Sequence, residues 1–368
     1  MGVAGAVKSV GLSVVAAVER GIRRRKHDPA LHKIKNFLVL QHGKALGTVV
    51  HTTPLMAALR EAVPGCRIVV AASGMSKEIY RRSPEVEQVI ETPDPTRDAK
   101  GAVRALRGKK LFDGEPFCTL APLGNERTTV VTQALAAGSW MRVGFTVVPQ
   151  LFTVPLRFDP SLSQIENNLR IITALGHPAK PQEPRIYFTD AELEFARGLL
   201  RGAGATEGQP IAIFVTQTSV TQRKSWRPER FQAAARFLHN RYGAFIVFVG
   251  TSAESAAIDA LRGGLDFPTA NLAGKTNLTQ LAALLSLGRV GLTLDTGTMH
   301  VGRAVGLPMV IVAPAWSPPV EWLPVGNPRF RILKNLDMPT APPDYIIDEV
   351  SVDEVTAALE DLIETYRG

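Results

Sequence analysis

The stretch Val290-Gly291-Leu292-Thr293-Leu294-Asp295-Thr296-Gly297-Thr298-Met299-His300-Val301-Gly302-Arg303-Ala304-Val305-Gly306-Leu307-Pro308 decides how this chain folds. An apolar run of strand length ends in an Asp-Thr-Gly turn and passes straight into a helical segment, which Gly306 and Pro308 close. A strand that feeds directly into a helix is part of a βαβ unit, and such units assemble into parallel sheets.

The same grammar recurs on both sides of that stretch. Upstream, Ile211-Ala212-Ile213-Phe214-Val215 and Phe245-Ile246-Val247-Phe248-Val249-Gly250 read as strands with helices between them, and Met309-Val310-Ile311-Val312 follows downstream. An earlier series holds Phe37-Leu38-Val39-Leu40, Arg67-Ile68-Val69-Val70-Ala71-Ala72, Gln88-Val89-Ile90 and Phe117-Cys118-Thr119-Leu120. A Gly-containing loop at 41–47 follows the first of these, then a helix through Pro54–Arg60, and the chain closes with a helix over 352–366. The sum is an α/β chain of two doubly wound halves. The boundary falls in Pro178-Ala179-Lys180-Pro181-Gln182-Glu183-Pro184, where the prolines disfavour any regular element.

A length of 368 residues suits two domains, each able to bury its own core. With 45% hydrophobic residues and 21% charged, the composition excludes an intrinsically disordered chain. The net charge of +8 favours acidic partners without choosing among nucleic acid, anionic lipid and a phosphorylated substrate. Cys66 and Cys118 fit neither a disulfide framework nor a zinc pattern, which points to a reducing cytoplasm, and the seven histidines contain no HExxH or other metal-ligand spacing.

The first residues form a separate element. Val3, Val7, Val10, Val14 and Val18 recur at helical spacing, and Arg20, Arg23, Arg24, Arg25 and Lys26 follow as a dense basic cluster. The segment is too short and too interrupted to span a bilayer and lacks the pattern of a signal peptide. Two readings stay open: a helix lying on the cytoplasmic face of an anionic membrane, or a solvated helix.

Chemistry concentrates at three places. In open α/β sheets ligands collect beyond the carboxyl ends of strands, and backbone N–H groups at a helix start suit a phosphate. Thr296, Gly297 and Thr298 would supply those amides, Asp295 reads as an N-cap or organiser, and His300 would reach a diphosphate or a sugar hydroxyl. Asp-Thr-Gly also occurs in aspartic proteases, but those all-β enzymes need a second such triplet, which this sequence lacks. In Gln222-Arg223-Lys224-Ser225-Trp226-Arg227-Pro228-Glu229-Arg230-Phe231, Lys224 lies past a strand end, where a cation could neutralise a diphosphate leaving group. Trp226 and Phe231 read as core anchors, and the arginines as a solvated face. The third place is His42-Gly43-Lys44-Ala45-Leu46-Gly47-Thr48, followed by His51-Thr52-Thr53-Pro54, whose spacing is neither a dinucleotide fingerprint nor a Walker A loop.

At these residues the chain resembles the family-9 glycosyltransferases, the bacterial heptosyltransferases of lipopolysaccharide inner-core synthesis. Leu46-Gly47-Thr48-Val49-Val50-His51-Thr52-Thr53-Pro54 is similar to the family's Gly-Asp-x-x-x-x-Thr-Pro region. Lys224-Ser225-Trp226-Arg227-Pro228-Glu229 is similar to its Lys-x-Trp-Pro stretch with one residue inserted, and Asp295–His300 to its Asp-Thr/Ser-Gly-x-x-His signature.

The resemblance covers about Lys35 to Gly368 and implies a GT-B fold, two Rossmann-like domains facing a cleft. The expected layout is an N-terminal basic helix at 1–34, an acceptor domain at 35–184, a nucleotide-sugar domain at 185–345, and a C-terminal helix at 346–368 returning to the N-terminal domain. The implied reaction is transfer with inversion from a nucleotide sugar, by default ADP-heptose, with no metal and no cofactor. Lys224, Thr296, Gly297, Thr298 and His300 would hold the diphosphate and sugar, with Thr218 and Asp295 beside them. Gly250, Thr251, Ser252 and Glu254 would approach the ribose, and Lys44 and Gly47 would approach from the other domain. The expected partners are this donor and an acidic glycolipid or glycan acceptor, met by Arg97, Lys100, Arg104, Arg107, Lys109 and Lys110, with an anionic membrane surface possible and no nucleic acid.

One departure carries weight. Where the family has an aspartate as general base, this chain has Thr48, whose hydroxyl cannot take a carboxylate's role. Three accounts follow: His42 or His51 replaces the base, with His42 preferred at the strand end; the acceptor assists itself; or the protein binds a nucleotide sugar without turning it over. Epimerases and phosphorylases share the architecture, but the phosphorylases need a pyridoxal-lysine site, and none is evident here.

Overall fold

The computed structural model describes residues 15–19, 30–139, 141–217, 225–315, 319–335 and 345–366. The chain divides into two compact units, Met1–Pro184 and Arg185–Gly368.

In the first unit, β1 (Asn36–Gln41), β2 (Arg67–Ala72), β3 (Gln88–Glu91), β4 (Cys118–Ala121), β5 (Met141–Phe145) and β6 (Val154–Leu156) form one sheet in the order β3-β2-β1-β4-β5-β6. Every pairing is parallel, with Leu38 opposite Val69 on one side and Thr119 on the other. All six residues of β1 are buried, as a strand covered by helices on both faces requires. Leu38, Leu40, Val69 and Ala71 meet Leu106, Val130 and Ala134 in one apolar cluster.

The second unit repeats the plan. Its strands β7 (Ile211–Val215), β8 (Phe245–Phe248), β9 (Thr269–Asn271), β10 (Val290–Leu294), β11 (Met309–Val312) and β12 (Phe330–Leu333) run parallel in the order β12-β11-β10-β7-β8-β9. In both sheets the winding reverses beside the first strand, between β1 and β4 and between β7 and β10. A crevice opens at the carboxyl ends of the strands at such a reversal.

Most interior strands were legible as apolar runs; β5, β6, β9 and β12 were not. β6 and β9 are three residues long, β6 carries Pro155, and β5 and β12 are interrupted by Arg142 and Arg331. Edge strands are commonly short and polar, which removes the periodicity that marks them.

The C-terminal helix Val352–Thr365 belongs to the second unit: Val355, Leu359, Leu362 and Ile363 lie in the same core as β7, β8, β10 and β11. Its apolar stripe is buried in that core.

At the other end, most of the basic helix lies outside the described residues. In its described turn, 15–19, Ala16 packs against Val131, Val148 and Leu151, while Glu19 pairs with the fully buried Arg142. Val18, expected on the apolar stripe, is 57% exposed. Among the described residues no helix is long and apolar enough to cross a membrane.

Candidate functional site

In the second unit, the described donor candidates follow β10 and β8, with β7 between them. β10, β7 and β8 are neighbours at about 4.8 Å per strand, so their ends span about 10 Å, the scale of a diphosphate with one attached ring.

Beyond β10, the helix Gly297–Ala304 is capped by Thr296, whose extended backbone lets its Oγ1 accept from Met299 N at 3.4 Å. Of the two roles expected for Asp295, N-cap or organiser, the first falls to Thr296, and Asp295 is the buried residue before it. With Met299 N taken by the cap, the amides of Gly297 and Thr298 remain at the positive end of the helix dipole. His300 is buried, its ring 5.9 Å from that of Trp322.

At the end of β8, Glu254 Oε2 accepts from Thr251 N at 2.7 Å, closing a capping box around the turn Ser252–Glu254. This leaves Oε1 as the oxygen not used by the cap. Gly250 O accepts from Gly274 N at 2.9 Å. Gly274 stands at φ +70°, and a Cβ there would lie 2.7 Å from Ser252 Cβ, so only glycine admits this close approach.

Thr218 and Lys224, expected at the donor, lie outside the described residues, as does Arg223. The anchor after them is well defined. Trp226 is 2% exposed, meets Phe231 edge-on at 4.9 Å and donates Nε1–H to Val350 O at 2.9 Å. Arg227 and Arg230, expected as a solvated face, both pair with Asp348 and bind the 346–350 segment.

In the first unit, His42 follows β1 but is not exposed to any acceptor. It is 1% exposed; its Nε2 is 2.6 Å from Gln133 Oε1 and its Nδ1 3.0 Å from Ser73 Oγ. The amide oxygen can only accept, so Nε2 carries the proton and Nδ1 accepts from the serine hydroxyl. Burial lowers its pKa from 6.5 to about 4, against the pull of the Gln133 hydrogen bond. The expectation that His42 is the general base is therefore corrected: both ring nitrogens are engaged inside the unit. Its role is positional, because His42 N donates to Asn125 Oδ1 at 2.8 Å and so ties the end of β1 to the turn after β4. His51, the other histidine considered, is also buried, at the end of the Leu46–Val50 helix.

Lys44, expected at the donor, is engaged within its own unit, with Thr96 Oγ1 at 2.8 Å and Asp94 at 3.3 Å. Burial would raise the Asp94 pKa, but hydrogen bonds from Thr96 and Lys44 outweigh it and hold the carboxyl at about 2. Gly47 and Thr48 lie on the short helix Leu46–Val50, Gly47 buried and Thr48 half-buried. Thr48 leans on the turn after β4: Gly124 stands at φ +84°, and a Cβ on it would lie 2.6 Å from Thr48 Cγ2.

That turn holds what the sequence reading missed. Burial raises the Glu126 pKa, against the opposing pull of the turn's backbone amides and of Arg127. The available signal was a Gly-Asn-Glu turn directly after a strand, but nothing local links it to Thr48.

Arg97, Lys100, Arg104, Arg107, Lys109 and Lys110 are exposed and form no ion pair among the described residues. Nor, among those residues, does any group of three or more His, Cys, Asp or Glu stand ready to hold a metal ion.

Two doubly wound α/β units, each a parallel six-stranded sheet, have the fold of the GT-B class of glycosyltransferases. Residues 153–340 match the profile of glycosyltransferase family 9 (heptosyltransferase), and the chain belongs to that family. Among curated proteins it is 23% identical to E. coli lipopolysaccharide heptosyltransferase 3 over 297 residues, covering 76% of this chain and 84% of the relative.

Two solved structures share the fold. The family 9 glycosyl transferase from Veillonella parvula superposes with a TM-score of 0.78 at 19% identity, covering 91% of this chain and 99% of the other. The E. coli ADP-heptose lipopolysaccharide heptosyltransferase II gives 0.73 at 19% identity, covering 90% and 100%.

Proposed function

We propose that this glycosyltransferase moves a heptose from ADP-heptose to an acidic, lipopolysaccharide-type acceptor, with inversion and without a metal ion. The observation that carries this is the placing of the Thr296-capped helix start and the Gly250–Glu254 turn at the same end of one sheet, on β10 and β8 with β7 between them. The relatives named for ADP-heptose and lipopolysaccharide support the substrate class.

In this reading the amides of Gly297 and Thr298 take the diphosphate and Glu254 Oε1 takes a ribose hydroxyl. Lys224 supplies the cation that leaving-group charge requires, in place of a metal. Developing charge met by fixed dipoles and a cation is worth about 10²–10³-fold in rate per donor group. The acceptor hydroxyl attacks the anomeric carbon from the face opposite the diphosphate, so one displacement inverts the centre. The unpaired cations from Arg97 to Lys110 attract the acceptor's phosphates.

A peripheral position on an anionic membrane belongs to the same reading. Val15 and Val18 are exposed on the docked N-terminal turn, and a basic cluster follows them.

Calorimetric titration with ADP, UDP, GDP and dTDP tests the donor assignment. ADP is expected to bind selectively, and Lys224→Ala to weaken it at least tenfold. Equal affinity for all four nucleotides, or unchanged ADP affinity in the variant, would overturn it.

A further inference from the structure

We propose that Glu126 is the general base of this enzyme, standing in for the carboxylate that Thr48 replaces. The inference rests on the transferase reading above and adds to it the residue that takes the acceptor's proton.

Position is the first argument. Thr48 occupies the site where the family resemblance calls for an aspartate, on the short helix that follows β1. The neighbouring strand at the winding reversal is β4, and Glu126 lies on the turn that follows it. Gly124 links the two: its missing side chain leaves room for the Thr48 methyl, and Glu126 follows it two residues later on the same turn. A carboxylate lost from one side of this contact is thus present on the other.

Rigidity is the second. Leu123 N donates to Asn168 Oδ1 at 2.9 Å, Asn125 Oδ1 accepts from His42 N at 2.8 Å, and Asn125 Nδ2 donates to Pro122 O at 2.9 Å. The buried His42 ring, held by Ser73 and Gln133, braces the same turn from behind. A base must sit within hydrogen-bond reach of its proton, and a turn tied at three points provides that placement.

Electrostatics is consistent. Burial raises the Glu126 pKa towards the range where a carboxylate is an effective base. The charged group beside it is Arg127, which favours the ionised form and whose Nη1 donates to His42 O at 3.5 Å. Behind the turn, His42 is neutral.

The step balances without a co-reactant. The acceptor oxygen bonds to the anomeric carbon, the bond from that carbon to the diphosphate oxygen breaks with its electrons leaving on ADP, and the hydroxyl proton passes to the Glu126 carboxylate.

The test measures transfer from ADP-heptose to a truncated inner-core glycolipid as a function of pH, with ADP affinity read by calorimetry on the same preparations. Glu126→Gln should lower kcat about 10²–10⁴-fold, the usual cost of losing a general base, and abolish the acid limb of the pH profile while ADP affinity is unchanged. Thr48→Asp in the Glu126→Gln background should recover at least tenfold of the lost rate, because it restores a carboxylate across the Gly124 contact. Transfer undiminished in Glu126→Gln, or an unmoved acid limb, would overturn the proposal while leaving the transferase reading intact. No transfer by the wild-type protein would overturn that reading and this proposal together.

Discussion

Lowering the pH should unlock the first unit through His42. The imidazole titrates near 6.5 in the unfolded chain and near 4 in the folded one, because burial disfavours its charged form. Between these values the unfolded state binds a proton that the folded state refuses, so stability is complete above pH 6.5 and falls as pH drops towards 4. At about 1.4 kcal/mol per tenfold change in proton affinity, the contribution is about 3 kcal/mol in all, of which about 2 kcal/mol is lost by pH 5. Asp94 does not interfere, since its carboxyl, held at about 2, costs stability only in the more acidic range below its usual value.

The assay is urea unfolding of the wild type and of His42→Gln at pH 7 and pH 5. The variant should be less stable at pH 7, having lost two side-chain hydrogen bonds, but it should lose about 2 kcal/mol less than the wild type on acidification. Parallel losses in the two proteins would refute the reasoning, because the proton would then be taken up elsewhere.

Two further outcomes follow from packing. Gly124→Ala places a methyl on a left-handed residue and against Thr48 Cγ2; about 1–2 kcal/mol is expected from the backbone alone, and combining it with Thr48→Ser should restore at least about 0.5 kcal/mol in a double-mutant cycle. Strict additivity of the two unfolding free energies would contradict the contact. Trp226→Ala should destabilise the second unit by about 3–5 kcal/mol, whereas Trp226→Phe, which loses chiefly the bond to Val350 O, should cost about 1–2 kcal/mol in the same urea titration. Similar losses for the two variants would argue against aromatic packing as the main contribution.

The fate of Thr48 changes with the fold in view. Its hydroxyl gave grounds for reading the protein as a binder of nucleotide sugar, whereas membership of a glycosyltransferase family supports an enzyme.

The buried strands were legible because parallel strands covered on both faces must be apolar throughout; β7, β10 and β11 were read to their observed ends. The Asp-Thr-Gly turn was legible for a similar reason, since a strand, a turn and a helix start follow one another within a few residues of chain. The α/β class thus follows from sequence alone.

Which side chain does what at those ends depends on neighbours far apart in the chain. Whether Asp295 or Thr296 caps the helix turns on one backbone conformation that either residue could adopt. The placing of His42 was decided by Ser73 and Gln133, which close over it from β2's end and from the Thr128–Ala136 helix and leave it neutral. Glu126 acquired its partner only when β4 paired beside β1 and brought Gly124 against Thr48. Strand identity is set by local hydrophobicity, which the sequence displays; proximity across a sheet is set by pairing order, which exists only once the chain has folded.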